Sequence, residues 1–140
     1  MYKRILVAIE NSAADRAILT HIRGLARLTG AELLLVHVAD GWAARHFDDL
    51  KLRESEEMRA DREYLSQVEA TLRNEGFTVR SELAKGDPAT ELIRVAQAEG
   101  SDLIAMATHG HRFLADVVKG TTVDRVRHLV KIPVLLLRAQ

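Results

Sequence analysis

Cysteine is absent from this 140-residue chain. The protein can therefore form neither a disulfide nor a thiolate metal site, and this composition leans towards a cytoplasmic protein without establishing the compartment. An excess of charge of one sign is also missing, because 20 basic side chains balance 20 acidic ones. Overall charge thus gives no reason to expect a nucleic acid or an anionic membrane as a partner.

Long apolar runs are missing as well. No segment approaches the ~20 apolar residues that a membrane-spanning helix needs. The basic start of the chain is followed by an apolar run that ends at Ile9, without the small-residue cleavage pattern of a signal peptide. Proline occurs only twice, neither time in a linker, and no repeat is visible. We therefore expect a soluble, cytoplasmic protein with a single domain over residues 1–140.

Short apolar runs alternate along the chain with apolar residues at helical spacing. The runs predict strands over 5–9, 33–38, 78–84, 102–107 and 132–137, and the helical spacing predicts helices over 12–29, 50–74, 88–99 and 122–130. This alternation predicts an α/β fold, an open five-stranded parallel sheet with helices on both faces. With the first strand central, the strand order is 3-2-1-4-5. In such sheets ligands bind where the order of neighbours reverses, here between Glu10 and Ala107.

Local signals mark the helix ends. Ser12 and Asp15 resemble a capping box at the start of the first helix, and Gly30 is placed to end it. Asp87 and Pro88 predict an N-cap and a first helical position. The inward face of the first helix is predicted to comprise Ile18, Ile22, Leu25 and either Leu28 or Thr29.

The stretch from Met106 to Val123 joins a buried strand to a helix through a loop with glycines at both ends, Gly110 and Gly120. A helix start at Thr121 or Thr122 would present free N–H groups and a partial positive charge to an anion such as phosphate. Further polar groups of this loop are Arg112 and Lys119. The alternative is that Gly110 only turns the chain and Thr121 only caps the helix.

Three other polar or aromatic positions have a structural and a functional interpretation. Trp42 could cover a ligand, but packing on the sheet edge is favoured. His109 and His111 lie one residue apart without an evident third metal ligand, so surface histidines are favoured over a metal site. His37, within an apolar strand, is interpreted as a histidine satisfied in the core or at its rim.

Taken together, six segments resemble the universal stress protein family over essentially the whole chain. They are Lys3–Ile9, Gly30–Val38, Asp102–Ile104, Thr108–Gly110, Gly120–Thr121 and Ile132–Leu135. Nucleotide-binding members share Gly, two residues, Gly, nine residues, and Gly followed by Ser or Thr. Here Gly110 and Gly120–Thr121 keep the nine-residue spacing, whereas Ala107 holds the first position and Glu10 replaces the usual Asp after the first strand.

The resemblance implies a stress-response regulator that binds ATP, with or without Mg²⁺, and lacks fast turnover. Glu10 would meet the ribose or adenine, and the Val38 backbone would meet the adenine edge. Phosphates would meet Ala107, Gly110, Gly120, Thr121 and Thr122. The full set of nucleotide-binding candidates is Ile9, Glu10, Val38, Met106, Ala107, His109, Gly110, Arg112, Gly120, Thr121 and Thr122; no catalytic or metal-ligating residue is assigned.

The last predicted strand lies at a sheet edge, where unpaired backbone groups invite pairing. By resemblance, Val134, Leu135, Leu136 and Leu137 would pair with a second copy in a two-fold homodimer. Two other functions stay open. One is a slow ATPase, with Glu10, Asp116, His109 and His111 as candidate groups. The other is a nucleotide-free dimeric interaction protein.

Overall fold

The structure is a computed structural model that describes residues 1–40, 47–108 and 116–139, with side chains described for residues 1–39, 56–108 and 122–139. Five strands alternate with four helices, as the sequence predicts. The elements in chain order are β1 (Arg4–Ala8), α1 (Ala14–Thr29), β2 (Glu32–Asp40), α2 (Phe47–Asn74), β3 (Val79–Gly86), α3 (Pro88–Ala98), β4 (Leu103–Thr108), α4 (Asp116–Leu129) and β5 (Val134–Arg138).

The five strands form one sheet in the order β3-β2-β1-β4-β5, and every pair of neighbours is parallel. This confirms the predicted fold class and strand order. Strand β1 is central, because Val7 pairs with Leu35 on one side and with Ala105 on the other. Its residues Ile5, Leu6 and Val7 are fully buried, which explains why β1 is an unbroken apolar run.

Successive side chains of each strand point to opposite faces of the sheet, and each face has its own apolar core. On one face, Ile5 and Val7 pack with Ile18 and Ile22 of α1 and with Leu65 of α2. The residues of the other core include Leu6, Ile104, Leu92 and Val95 of α3, and Val126 of α4. Two helices therefore cover each face. Among the described residues, no helix is both long and apolar enough to cross a membrane.

The ends of the first helix follow the sequence only in part. Gly30 closes α1 with a left-handed φ of 73° and donates its N–H to Ala26, as predicted. The N-cap, however, is Ala13, which makes no side-chain cap bond, while Ser12 Oγ accepts from the N–H of Ala14 at 3.2 Å. Of the two further candidates for the inward face, Thr29 is half-buried, whereas Leu28 is 85% exposed because it lies on the outer face of α1.

The start of the last helix also differs from the prediction. Helix α4 begins at Asp116, so Gly120, Thr121 and Thr122 lie inside the helix and cannot cap it. A single glycine costs a helix only about 1 kcal/mol relative to alanine, which the flanking turns of α4 outweigh. The first helical N–H groups therefore belong to residues 116–119.

The N-cap of α3 agrees with the prediction and also ties α3 to α4. The Asp87 carboxylate accepts from the Thr90 N–H at 2.9 Å and from the Thr90 hydroxyl at 2.6 Å. Arg125 of α4 donates to both carboxylate oxygens, at 3.0 and 2.8 Å. The hydrogen bonds from Thr90, with a smaller contribution from Arg125, hold the pKa of Asp87 below its usual value.

We expect Asp87→Ala to lower the free energy of unfolding by about 1 kcal/mol at pH 7, the usual loss for a helix cap. Because the pKa of Asp87 is depressed by folding, its contribution is present above the pKa of the unfolded chain and is lost as the pH falls through the folded value. Denaturant unfolding at neutral and acidic pH should therefore show the two proteins converging in acid. Asp124→Ala is the control, since exposed Asp124 pairs only with Arg127 within the same helix. An equal loss in both variants would contradict the cap.

Candidate functional site

The reversal of strand order lies between β1 and β4, whose carboxyl ends are side by side. The pairing of β1 with β4 ends at Val7 and Ala105, and Ile9 and Ala107, two residues further along each strand, contribute to the same apolar core. On the other side of β1, the Ile9 N–H donates to the Val36 carbonyl at 2.9 Å, which continues the pairing with β2. The chain then leaves the sheet at Glu10. The structure thus brings the predicted Glu10 and Ala107 to the same edge of the sheet.

The turn after β1 is built around the buried carboxylate of Asp15, which is 2% exposed. Its Oδ1 accepts from the Glu10 N–H at 2.9 Å, and its Oδ2 accepts from the N–H groups of Asn11 at 2.8 Å and Ser12 at 3.4 Å. The Tyr64 hydroxyl of α2 donates to the same Oδ2 at 2.6 Å. Four donors therefore converge on one carboxylate, which suits a buried negative charge.

The Tyr64 hydroxyl reflects this environment. Its burial raises the pKa of Tyr64 above the usual value, and the hydrogen bond to Asp15 and the negative charge of Asp15 raise it further. Tyr64 therefore stays protonated and acts as a donor at neutral pH.

A second set of polar contacts links β1, β2 and α2. His37 Nδ1 lies 2.9 Å from the Ile9 carbonyl, and His37 Nε2 lies 3.1 Å from Asp61 Oδ2. The side chains of His37 and Asp61 are only 13% and 19% exposed. A carbonyl and a carboxylate are both hydrogen-bond acceptors, so His37 can donate to either of them. Asn11 Nδ2 also donates to Asp61, at 3.1 Å. The interpretation of His37 as a satisfied rim histidine agrees with these contacts.

The other predicted site residues are distributed as follows. Ile9 and Met106 are buried, and their side chains pack in the two opposite cores. Ala107 and Val38 are half-buried, Ala107 against the α1 and α2 face and Val38 against the other. Only the backbone of Ile9 and Met106 can therefore meet a ligand.

Glu10 is half-buried at the turn, and the Ser12 hydroxyl donates to its carboxylate at 3.0 Å. The half-buried Thr122 lies in α4, together with the backbones of Gly120 and Thr121. His109, Gly110 and Arg112 lie outside the described residues, as does Trp42. Over the described part of the chain, no group of three His, Asp or Glu side chains is placed to hold a metal ion.

Sequence reasoning missed most of the polar contacts at this edge. Asp15 was predicted only as part of a cap, and Asn11, Asp61 and Tyr64 were not singled out. A signal was present in α2, where Asp61 and Tyr64 lie three residues apart and continue the inward row of Leu65 and Val68. Polar groups that extend an apolar row indicate a buried polar contact.

A shallow surface cleft lies at the opposite, amino end of the strands. Two of the side chains that line it are arginines, and both are engaged by Glu99. Arg4 donates to the Glu99 carbonyl and Arg80 to the Glu99 carboxylate, each at 2.9 Å. This cleft is remote from the switch point.

The fold defines a Rossmann-like α/β protein, a class in which ligands bind at the carboxyl ends of the central strands. The family model of the universal stress protein family matches residues 1–138. The chain therefore belongs to the universal stress protein family.

Characterised relatives agree with this assignment. A universal stress protein of Methanocaldococcus jannaschii is 26% identical over 158 residues, covering 99% of this chain and 96% of the relative. The solved structure of that protein has a TM-score of 0.83 at 25% identity, covering 100% of this chain and 98% of the other. A Thermus aquaticus universal stress protein is 29% identical over 145 residues, covering 99% of this chain and all of the relative.

Two more distant structures share the fold and were solved with nucleotides. A universal stress protein in complex with cAMP has a TM-score of 0.70 at 16% identity, covering 99% of this chain and 98% of the other. The Archaeoglobus fulgidus universal stress protein in complex with dAMP has a TM-score of 0.66 at 21% identity, covering 96% and 97%.

We expect Tyr64→Phe to lower the free energy of unfolding by about 1.5–3 kcal/mol, the usual loss for a hydrogen bond to a charged group. Denaturant unfolding at pH 7 measures this loss. Tyr2→Phe is the matched control, because the Tyr2 ring packs against the same core. If both variants lose the same amount, the Tyr64 hydroxyl does not stabilise the Asp15 carboxylate.

Proposed function

We propose that residues 1–140 act as one regulatory domain of the cytoplasm that binds ATP at the switch point without fast turnover. The observation that carries the proposal is that β1 and β4 are parallel neighbours, so that Glu10, which follows β1, and Ala107, near the end of β4, lie at the same edge of the sheet. In open α/β sheets, this is the position at which ligands bind. The structures solved with cAMP and dAMP support an adenine nucleotide as the ligand.

The chemistry of the described side chains suits the nucleoside end of such a ligand. Glu10 is a half-buried carboxylate at the rim, and it can accept hydrogen bonds from ribose hydroxyls or from the adenine amino group. Val38 follows His37 on the next strand, so its backbone is available at the same end of the sheet for the adenine edge. The backbones of Ile9 and Met106 line the crevice from beneath.

The phosphates belong, in this proposal, to the segment from Ala107 to Thr122. His109, Gly110 and Arg112 supply backbone N–H groups and positive charge there, and Gly120, Thr121 and Thr122 complete the segment. A bound Mg²⁺ would be held by the phosphates and water, as is common for this ion. Its chemistry would be charge neutralisation.

Nucleotide binding is tested by isothermal titration with ATP. We expect Gly120→Val to weaken binding at least about tenfold, because the branched side chain would occupy the space that the phosphates need. Gly24→Val is the matched control: Gly24 lies in α1, and an added Cβ there would meet nothing within 4 Å. The absence of heat with the unmodified protein would refute ATP binding, and equal heat with both variants would refute a phosphate site at Gly120.

We also propose a homodimer that pairs through β5. This strand is at the edge of the sheet, and it carries four consecutive apolar residues, Val134, Leu135, Leu136 and Leu137. Leu136 is 37% exposed, and the other three are half-buried. Pairing with a second β5 would satisfy the edge and cover these side chains.

We expect Leu136→Lys to shift the protein to monomers in sedimentation at micromolar concentration, because a charge would lie within the paired edge. Leu28→Lys is the control, as it replaces a leucine on the outer face of α1 that is 85% exposed. Monomers at all concentrations of the unmodified protein, or dissociation by Leu28→Lys alone, would refute this interface.

A further inference from the structure

Three consecutive backbone N–H groups point to one place at the end of β1. Asn11 has a left-handed φ of 62°, which turns the amides of Glu10, Asn11 and Ser12 to the same side. Successive N–H groups in such a turn form a concave nest that binds anions. Helix α1 begins two residues later, so the partial positive charge of its first turn adds to the nest.

In this protein the nest is filled by a side chain of the chain itself. Both Asp15 oxygens are used by the three amides, and Tyr64 closes the remaining side. Asp15 is 2% exposed, so no ligand can reach its oxygens without displacing it. A ligand anion would also meet a second carboxylate, because Glu10 stands at the rim of the same turn.

We propose that Asp15 is a positioning residue whose carboxylate acts as a resident anion in the nest of residues 10–12, holding the turn and excluding ligand phosphate from the β1 side of the crevice. The turn then presents the Glu10 side chain instead of free amides. Its consequence for a ligand rests on the proposed nucleotide binding: no phosphate of the nucleotide occupies the amides of residues 10–12.

Chemical rescue tests the resident anion independently of any nucleotide. Asp15→Ala removes the carboxylate and leaves three unpaired amides beside a cavity, so it should lower the melting temperature. Sodium acetate or formate should raise the melting temperature of this variant by about 3 °C more than that of the unmodified protein, relative to sodium chloride at equal ionic strength. No anion-specific rise would overturn the proposal.

Asp87→Ala is the matched control for this rescue. It also removes a carboxylate that caps a helix, but Asp87 is exposed, and the cap it leaves is open to water. Acetate should not restore its melting temperature. Equal rescue of both variants would show a general salt effect and would overturn the nest.

If Asp15→Ala does not fold at any acetate concentration, Asp15→Asn tests the resident anion instead. An amide side chain keeps one acceptor oxygen and turns an NH₂ group towards part of the nest. Hydrogen exchange should then become about tenfold faster at Glu10, or at Asn11 and Ser12, with the remaining amides still protected. Unchanged protection at all three amides would overturn the proposal.

Separate titrations with inorganic phosphate and adenosine test whether Asp15 excludes phosphate from the amides of residues 10–12. Adenosine should bind the unmodified protein, and phosphate should gain a site in Asp15→Ala that the unmodified protein lacks. Rescue by acetate without any nucleotide binding would retain the resident anion and refute the proposed function. Nucleotide binding without rescue by acetate would retain the proposed function and refute the resident anion.

Discussion

The geometry of the turn after β1 depends on the hydrogen bonds that the buried carboxylate of Asp15 accepts. A charge that is 2% exposed would be strongly unfavourable without partners, and here it has three backbone donors and the Tyr64 hydroxyl. These donors come from the turn after β1 and from α2, while Asp15 itself lies in α1. One group therefore connects the central strand to both helices of that face. Removing it would leave buried amides unpaired, which is costlier than losing an average hydrogen bond.

The apolar cores cannot provide this connection. On the β1 side they end after Ile9, because from Glu10 the backbone leaves the sheet and its polar groups need other partners. On the β2 side, His37 contacts the Ile9 carbonyl and Asp61, and these contacts link β1 and β2 to α2. Polar contacts therefore hold the turn at the end of β1, and the buried apolar cores hold the sheet beneath it. Such a turn can hold a polar ligand group without rearranging the cores.

Local sequence patterns predicted the sheet well, because buried parallel strands are apolar runs and their helices repeat every three or four residues. Strand order and the Asp87 and Gly30 helix ends follow from these patterns and from local chemistry.

The start of α4 does not follow from local patterns. Gly120 is as compatible with a helix interior as with a loop when the neighbouring turns favour a helix. The exposure of Leu28 depends on how α1 is rotated against the sheet, which the spacing of its apolar residues leaves open between Leu28 and Thr29. The contact of Asp15 with Tyr64 joins residues 49 positions apart, and no local pattern contains it. For the site, sequence located the edge at Glu10 and Ala107 but not the network that shapes it.

Two carboxylates five positions apart illustrate how environment divides one chemistry into two roles. Asp15 points inward and spends both oxygens on the protein, so it can only hold the turn. Glu10 stands half-buried at the rim, where the Ser12 hydroxyl steadies one of its oxygens. Both carboxylates therefore lie on the β1 side of the switch point, where they would repel a phosphate and accept hydrogen bonds from hydroxyl or amino groups. If the proposed nucleotide binds there, its phosphates need positive charge from another part of the site.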